Sequence, residues 1–396
     1  MKPVSLSAYT MTSCLGPGLE ATRRALRSGA SGLAKLDFET ATLDTFVGEI
    51  AGVDGVRLPV SLAPFDCRNN RAAEMGLAQD GFLDAVQGAV RRHGATRIGV
   101  FIGTSTAGIL QTELAYRRRD PGDGSLPADF DYRHTHNTFS VAEYVRTRLG
   151  LKGPCAAIST ACSSSAKAFA SAARLMDAGL IDAAVVGGVD TLCLTTLYGF
   201  NSLELLSRHP CRPYDGERDG ISIGEAAAFF LLERDAAHAK AQLLGAGESS
   251  DAHHMSSPHP DGLGAQRAMQ AALDRAGLPA DAIDYLNLHG TGTQSNDSAE
   301  DRAVVAIFGE KLPVNSTKGM TGHTLGAAGA VEALICVLAL EDGFIPPGAG
   351  TRSIDPQLRA RYEKSTRPEK IDRVLSNSFG FGGSNCSLVL GRAAAG

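Results

Sequence analysis

Two segments of this 396-residue chain, far apart in the sequence, follow the same pattern. The segments "PCAAIST" (154–160) and "LPVNST" (312–317) are short apolar runs that end in Ser-Thr, and a predicted helix follows each within a few residues. An apolar run that leads through a turn into a helix is typical of an α/β protein. Because the pattern recurs after roughly 157 residues, it predicts a chain built from two related halves.

The two predicted helices have clear ends. The first covers about 165–178 and stops at Gly179, and the second covers 326–341 and stops before Gly343. Glycine ends many helices because it adopts the left-handed conformation without strain. The second helix is apolar on almost all of its faces, so we expect it to be buried.

Short β-rich runs alternate with Ala-rich helical patterns elsewhere in the chain, which predicts the α/β class. The predicted strands lie within 97–105, 182–190, 225–233 and 283–290. The polar, Ala-rich residues 234–241 are the predicted joint, so we expect an N-terminal half at 1–236 and a C-terminal half at 237–396. No low-complexity linker separates them, which favours two halves packed together.

The composition limits the partners and the compartment. A formal net charge of −5 does not favour a surface for nucleic acid or anionic membranes, because those partners need a concentrated positive field. No apolar run approaches the length of about 20 residues that a membrane-spanning helix needs. The 8 cysteines form no CxxC pair, and the chain begins without a charged-then-apolar leader. These features predict a soluble protein of the reducing cytoplasm.

The cysteine in "STACSSSAKAF" (159–169) is the strongest candidate for a chemical role. Cys162 lies between a predicted strand and a predicted helix. The positive end of the helix dipole and nearby unpaired N–H groups favour the thiolate, which is the nucleophilic form. Such a turn also aims backbone N–H groups at a developing oxyanion. The alternative is a buried cysteine with no role, so the assignment depends on partners elsewhere in the chain.

Three titratable side chains in the C-terminal half are the candidate partners. His289 follows an apolar run in "NLHGTGT", and Lys318 and His323 lie five residues apart in "STKGMTGHTLGAAGA". Because His323 lies near a helix start, the dipole disfavours the imidazolium and predicts a neutral ring that donates one hydrogen bond. A single histidine is more often structural, but three such groups at strand-to-helix turns predict one assembled site.

Several other motifs lack the context that their chemistry requires. The S-x-x-K match at 164–167 has no K-T-G partner, and a charged run precedes "GISIG" (220–224) where a hydrolase needs a strand. No helix follows the glycines of "SNSFGFGGSNCSLVLG" (376–391), so a glycine turn that allows close backbone approach is favoured over a phosphate loop. The histidines at 253, 254 and 259 have no carboxylate or cysteine at a ligand spacing, so we expect no metal there.

Six motifs in register carry a family resemblance. They are "STACSSSAKAF", "RPYDGERDGISIGEAAAFFLLE", "SSDAHHMSSP", "LHGTGTQSNDSAE", "NSTKGMTGHTLGAAGAVEA" and "NSFGFGGSN". Together they resemble the β-ketoacyl-acyl carrier protein synthases of the KAS I/II type. The similarity runs from about residue 90 to the C-terminus, and more loosely before that. It implies the thiolase fold, in which duplicated halves form a five-layered αβαβα core, usually in a homodimer.

The resemblance implies a role for each candidate. Cys162 would take the growing acyl chain as a thioester, and the backbone N–H groups of Cys162 and Phe381 would form the oxyanion hole. His289 and His323 would hydrogen-bond the malonyl thioester carbonyl during loss of CO₂, and the enolate would attack the acyl group in a Claisen condensation. Lys318 would orient His289, and Glu300 would be the ionic partner of Lys318.

The resemblance also implies residues that bind the substrate. Thr291 and Thr293 would hold the phosphopantetheine arm, and Phe379 and Phe381 would line the gate to the acyl pocket. Thr106 falls where a bulkier residue often limits the acyl channel. No metal or organic cofactor is expected, because the thioester and the loss of CO₂ supply the driving force.

Two comparisons within the family narrow the prediction. His323 stands where relatives that begin synthesis carry Asn. A decarboxylating initiation subunit has Gln in place of the nucleophile and a chain-length factor lacks the Cys, so Cys162 disfavours both. Both residues therefore predict an elongating enzyme. Lys167 stands where the fatty-acid enzymes frequently carry a His, which fits a specialised aryl-polyene or other polyene type II synthase as readily as housekeeping fatty-acid synthesis.

The expected partner is an acyl carrier protein. Because carrier proteins are acidic as a class, we expect a basic docking surface at Arg68, Arg71 and Arg208. The chain would form a homodimer, or a heterodimer with a chain-length-factor-like subunit. Two further functions stay open: a subunit that acts chiefly by binding such a partner, and a thiolase-like enzyme that depends on CoA.

Overall fold

The computed structural model describes residues 1–234 and 236–393. Asp235, within the predicted joint, lies outside the described residues. The strands are β1 Val4–Ser13, β2 Gly16–Pro17, β3 Ala34–Lys35, β4 Phe46–Gly48, β5 Ile98–Gly103, β6 Cys155–Ile158, β7 Ala183–Asp190, β8 Ile223–Gly224, β9 Ala226–Glu233, β10 Ala241–Ser250, β11 Tyr285–Asn287, β12 Pro313–Asn315, β13 Phe344–Ile345, β14 Arg361–Tyr362, β15 Arg367–Pro368, β16 Arg373–Gly380 and β17 Ser384–Arg392. The α-helices are α1 Gly18–Ser28, α2 Arg68–Leu77, α3 Phe82–His93, α4 Ile109–Arg117, α5 Ser140–Arg148, α6 Ser164–Asp177, α7 Leu194–Ser202, α8 Leu263–Ala276, α9 Gln294–Phe308, α10 Lys318–Thr321 and α11 Ala328–Asp342.

The two halves have the same sheet topology. The strand order is β6-β5-β7-β9-β1 in the N-terminal half and β12-β11-β16-β17-β10 in the C-terminal half. In both halves the first three of these strands are parallel and the fourth is antiparallel to its neighbours. The antiparallel pair β1–β10 joins the two sheets. The repeated pattern in the sequence therefore corresponds to a repeated topology.

The core is layered. Helices α2, α3 and α5 cover the outer face of the N-terminal sheet, and α8 and α9 cover the outer face of the C-terminal sheet. Helices α6 and α11 lie together between the two sheets, in the largest apolar cluster. The expected five-layered αβαβα arrangement of the thiolase fold is confirmed.

The two central helices follow from their sequences. Every residue of α11 from Ala328 to Leu340 is buried, as its apolar pattern predicts. Gly329 brings α11 against α6, because a Cβ at this position would lie 2.6 Å from the backbone nitrogen of Ala166. Left-handed glycines follow both helices, at Gly179 and Gly343, as expected.

Most predicted strands agree with the observed ones to within two residues at each end. The exception is the run at 283–290, of which only Tyr285–Asn287 is strand. Its last residues turn away from the sheet because the N–H groups of His289 and Gly290 bond to the carboxylate of Glu300. Among the described residues, no helix combines the length and the apolar character that crossing a bilayer requires.

Candidate active site

A cavity opens between the two halves of the chain. Its lining includes the predicted nucleophile Cys162 and both predicted histidines, His289 and His323. The sulfur and the nearest ring nitrogens all lie within 4.8 Å of one another. The structure therefore brings together side chains that are separated by up to 161 positions in the sequence.

The turn after β6 exposes Cys162 to this cavity. Ala161 has a φ of 53°, a left-handed conformation that is strained for a residue with a side chain. Helix α6 begins two residues after Cys162, at Ser164. This strand, sharp turn and helix agree with the predicted setting of the nucleophile.

Burial dominates the ionisation of Cys162. It raises the pKa of the thiol to about 11, while the charge of Lys318 and the N–H of Phe381 act in the opposite direction. The expected effect of the helix start on the thiolate stays a prediction, and burial opposes it. Burial therefore favours the neutral thiol over its anion at neutral pH.

His323 is placed to donate a hydrogen bond to the sulfur. Its Nε2 lies 3.1 Å from Cys162 Sγ, and its Nδ1 accepts from the Leu325 N–H at 3.2 Å. Because Nδ1 accepts, the ring proton is on Nε2. Burial, and after it the charge of Lys318, lowers the pKa of His323 well below its usual value, so the ring is neutral.

His289 has the same tautomer for a related reason. The Lys318 Nζ lies 3.4 Å from its Nδ1, which leaves Nε2 as the N–H donor. Burial lowers the pKa of His289 well below its usual value, and the charge of Lys318 adds to this effect. The two rings meet edge to face with their centroids 5.2 Å apart. The cavity thus holds two neutral donors beside one sulfur.

The ionic partner of Lys318 is Glu332, and the expected pairing with Glu300 is wrong. The Lys318 ammonium contacts the Glu332 carboxylate and the backbone oxygen of His289. Glu300 instead accepts from the N–H groups of His289 and Gly290 and from the amide of Asn377. Burial raises the pKa of both glutamates to about 7. Glu300 therefore shapes the turn that carries His289.

Sequence reasoning missed Glu332, although a signal was present. It is the only charged residue in the apolar stretch 328–340 of α11. A carboxylate in such a helix requires a buried partner, because an isolated buried charge is very costly.

The glycine-rich turn at 380–383 packs against Cys162. A Cβ at Gly380 would lie 2.9 Å from the Thr160 oxygen and 3.2 Å from the Cys162 nitrogen, so only glycine allows this approach. Gly382 and Gly383 have φ values of 78° and 73°. The turn directs the N–H of Phe381 at Cys162. The predicted close backbone approach is present here, and the oxyanion hole itself stays a prediction.

The predicted substrate-binding residues do not all line the cavity. Thr291, Thr293, Phe379 and Phe381 do, and the two threonine hydroxyls lie 2.9 Å apart. Thr106 is absent from the lining, because its hydroxyl is buried and bonds to Asp190 at 2.7 Å. The lining of this cavity therefore does not support the expected position of Thr106 in an acyl channel.

The predicted docking arginines lie in different environments. The prediction that Arg68 docks a carrier protein is wrong. Its side chain is only 4% exposed and pairs with Glu225, Glu49 and Asp54. Arg71 forms two hydrogen bonds with Asp66, at 2.6 and 2.8 Å. Arg208 is exposed and lies three residues after Leu205, which lines the cavity. Arg71 and Arg208 stay predictions.

The cluster of Cys162, His289 and His323 also has the spacing of a metal site. A metal needs a free lone pair on each ligating nitrogen. Both Nδ1 atoms already accept from donors, and both Nε2 atoms carry the proton. The ammonium of Lys318 adds positive charge beside them. This donor set suits hydrogen bonding to an anion better than metal ligation, and the expected lack of a metal stays a prediction.

Comparisons with known proteins agree with this geometry. The family described as beta-ketoacyl synthase, N-terminal domain, matches residues 1–238, and the C-terminal domain of that family matches residues 240–352. A 3-oxoacyl-(acyl-carrier-protein) synthase 2 from Rhizobium meliloti is 35% identical over 431 residues, covering 99% of each chain. The alpha subunit of the tetracenomycin polyketide synthase ketoacyl synthase from Streptomyces glaucescens is 36% identical and covers 75% of this chain and 76% of its own.

Solved structures extend the likeness to the whole chain. A ketosynthase in complex with its chain length factor, from Xenorhabdus doucetiae, superposes with a TM-score of 0.90 at 38% identity, covering 98% of each chain. A beta-ketoacyl synthase from Burkholderia phymatum superposes with a TM-score of 0.89 at 30% identity, covering 99% of this chain and 100% of its own. With its two family domains and its Cys-His-His site, the chain belongs to the beta-ketoacyl synthase family.

Proposed function

We propose that the chain is an elongating β-ketoacyl-acyl carrier protein synthase that condenses a carrier-bound acyl chain with a malonyl carrier protein. The observation that carries this proposal is the convergence of one thiol and two neutral Nε2–H donors in one cavity. Donors without charge of their own suit a carbonyl oxygen that becomes negative during the reaction.

The first step is transfer of the acyl chain to Cys162. The sulfur attacks the carrier thioester carbonyl, the old C–S bond breaks, and the thiol proton passes to the departing carrier thiolate. The N–H groups of Cys162 and Phe381 stabilise the tetrahedral oxyanion between these events. The hydrogen bond from His323 and the N–H of Phe381 stabilise the sulfur as it loses its proton, which offsets part of the cost of burial.

The second step uses both histidines. A malonyl thioester places its carbonyl oxygen between His289 and His323, and the carboxylate leaves as CO₂. The electron pair of the broken C–C bond moves toward this oxygen, where the two N–H groups bind the enolate. The enolate carbon attacks the acyl-Cys162 carbonyl, the Cys162 thiolate leaves, and it takes a proton from solvent. The product is a β-ketoacyl chain on the carrier.

The pair Lys318–Glu332 fixes the protonation state of the site. Burial, and after it the Lys318 charge, lowers the pKa of both histidines, so neither becomes an imidazolium that would protonate the enolate before it attacks. Thr291 and Thr293 line the wall along which the phosphopantetheine arm would lie. The substrates then arrive on the carrier, and the chemistry needs no other cofactor.

We also propose that the chain works with a chain-length-factor-like partner in a polyene or related type II pathway. The Xenorhabdus doucetiae ketosynthase, which superposes over 98% of this chain, was solved with such a factor. The outer edge of β6 is an open sheet edge with half-buried side chains, which suits such a partner. All 8 cysteines are free thiols, which supports a cytoplasmic location.

The proposal is tested by separating the two steps. Cys162→Ala should abolish the acyl adduct detected by intact-protein mass spectrometry, while the control Cys193→Ala retains it. His323→Ala should still form acyl-Cys162 but lower condensation by about 10²- to 10³-fold, the usual cost of an oxyanion donor. An acyl adduct on Cys162→Ala, or unchanged condensation by His323→Ala, would refute the assignment. Turnover with acyl-CoA alone would favour the thiolase-like alternative.

A further inference from the structure

A buried carboxylate outside the proposed machinery connects the two halves beside the active site. Asp190 ends β7, is fully buried, and receives hydrogen bonds from the turn that follows β5. The donors in that turn are the hydroxyls of Thr104, Ser105 and Thr106 and the N–H groups of Ser105 and Thr106. Asp190 is therefore held rigidly within the N-terminal half.

The remaining bond of Asp190 crosses to the C-terminal half. Its Oδ2 accepts the N–H of Gly326 at 2.6 Å. A Cβ at Gly326 would lie 2.8 Å from this oxygen and 2.9 Å from the Ser105 nitrogen, so the contact requires glycine. The carboxylate thus fixes the point at which the chain leaves the His323 turn and starts toward α11.

Of the two residues between His323 and Gly326, Leu325 is strained. Leu325 has a φ of 52° and is buried, and a left-handed conformation at a leucine needs surrounding contacts to hold it. In this conformation the Leu325 N–H reaches Nδ1 of His323 at 3.2 Å. The backbone of His323 is held separately, by the Ser222 oxygen at 2.7 Å and the Gly224 N–H at 2.9 Å. The ring tautomer therefore depends on the Leu325 turn.

We propose that Asp190 is a positioning residue for His323: by holding Gly326 it keeps Leu325 left-handed, and the Leu325 N–H then fixes the ring proton on Nε2, facing Cys162. The expected effect on condensation rests on the proposed function, whereas the tautomer of the His323 ring does not depend on that function. Asp190 does not line the cavity, so it acts through the turn. The ring can donate to an enolate only in this tautomer.

Asp190→Asn is the first test. The amide has nearly the same shape but replaces one acceptor oxygen by a donor, so a donor meets either Gly326 or the Ser105 turn. We expect condensation to fall by about 10- to 100-fold and formation of acyl-Cys162 to change by less than about threefold. The matched control is Asp215→Asn, another buried carboxylate that accepts backbone N–H groups, from Glu217, Arg352 and Ser353. It should lower thermal stability without changing the ratio of the two rates.

A second measurement stands even if the variant does not fold. In protein labelled with ¹⁵N-histidine, the nitrogen shifts of wild-type His323, assigned with His323→Asn, should show the Nε2–H tautomer, and Asp190→Asn should show a mixture. A wild-type ring protonated on Nδ1 would overturn the proposal, and so would an equal loss of both steps in Asp190→Asn with an unchanged ring signal. If wild-type protein formed no condensation product but gave the expected tautomer, the proposed function would fail and the positioning role would stand.

Discussion

At the residue scale, the site depends on how burial acts on groups of opposite charge type. Burial in the same cavity raises the pKa of the Cys162 thiol and lowers the pKa of both histidines. Each shift favours the neutral form, so the resting site holds a thiol and two imidazoles. The ion pair Lys318–Glu332 lies beside them. The neutral groups suit a reaction in which negative charge appears only transiently.

The raised pKa of Cys162 predicts a pH dependence. Because the pKa of the thiol is raised to about 11, the group is protonated at neutral pH and its thiolate fraction grows as the pH rises. The rate of alkylation by iodoacetamide should therefore increase about tenfold per pH unit between about pH 7 and 10. Mass spectrometry of the adduct measures the rate, and Cys162→Ala gives the background from the other thiols. A rate that is already constant at pH 7 would contradict the prediction.

At the element scale, the active site is built where two turns meet. The turn between β6 and α6 carries Cys162, the proposed nucleophile, and the glycine turn between β16 and β17 carries Phe381. Lys167, on the second turn of α6, donates to the Ser384 hydroxyl at 2.7 Å, just beyond the glycine turn. The Ser163 hydroxyl lies 3.5 Å from the same oxygen. This helix therefore holds both the nucleophile and the turn that faces it.

The contact of Lys167 predicts an effect on acyl transfer. Lys167→Met keeps the length of the side chain but removes its donor, so the glycine turn should move more freely and the Phe381 N–H should be less well placed. We expect formation of acyl-Cys162 to slow by on the order of tenfold. Arg174→Met is the control, because Arg174 lies on the same helix but pairs with Glu248. Rapid quench and mass spectrometry measure the two rates. Equal rates in the two variants would exclude a role for the Lys167–Ser384 hydrogen bond in acyl transfer.

At the scale of the whole molecule, each half supplies a different part of the chemistry. The N-terminal half brings Cys162, and the C-terminal half brings both histidines and Lys318. The halves are held together by the β1–β10 pair, the α6–α11 contact and the bond from Asp190 to Gly326. The sheet that they share ends at β6 on one side, and this edge has a free row of backbone groups.

We predict that a partner chain binds at the outer edge of β6. Pro154 and Ile158 direct their backbone oxygens toward β5, where they accept from the N–H groups of Val100 and Thr104. Successive residues of a strand alternate in direction, so Cys155 and Ala157 direct their backbone groups outward. Ala157→Pro removes an outward N–H without removing a bond to β5. We expect the variant to keep its circular dichroism but to lose the dimer, whether with a second copy or with a chain-length-factor-like chain. Native mass spectrometry that still shows the dimer would exclude this edge as the interface.

The sequence alone determined the fold class, the repeat, both central helices and the candidates Cys162, His289, Lys318 and His323, because these signals lie in local periodicity and in short motifs. It did not determine which glutamate pairs with Lys318 or that Arg68 is buried, since those outcomes depend on distant segments that meet only in the folded chain. The tertiary structure also decided the protonation of the site. A helix start favours a thiolate in any sequence, but burial of the sulfur favours the neutral thiol. How deeply the sulfur is buried depends on the folded chain, and here burial is the larger effect on the pKa of Cys162.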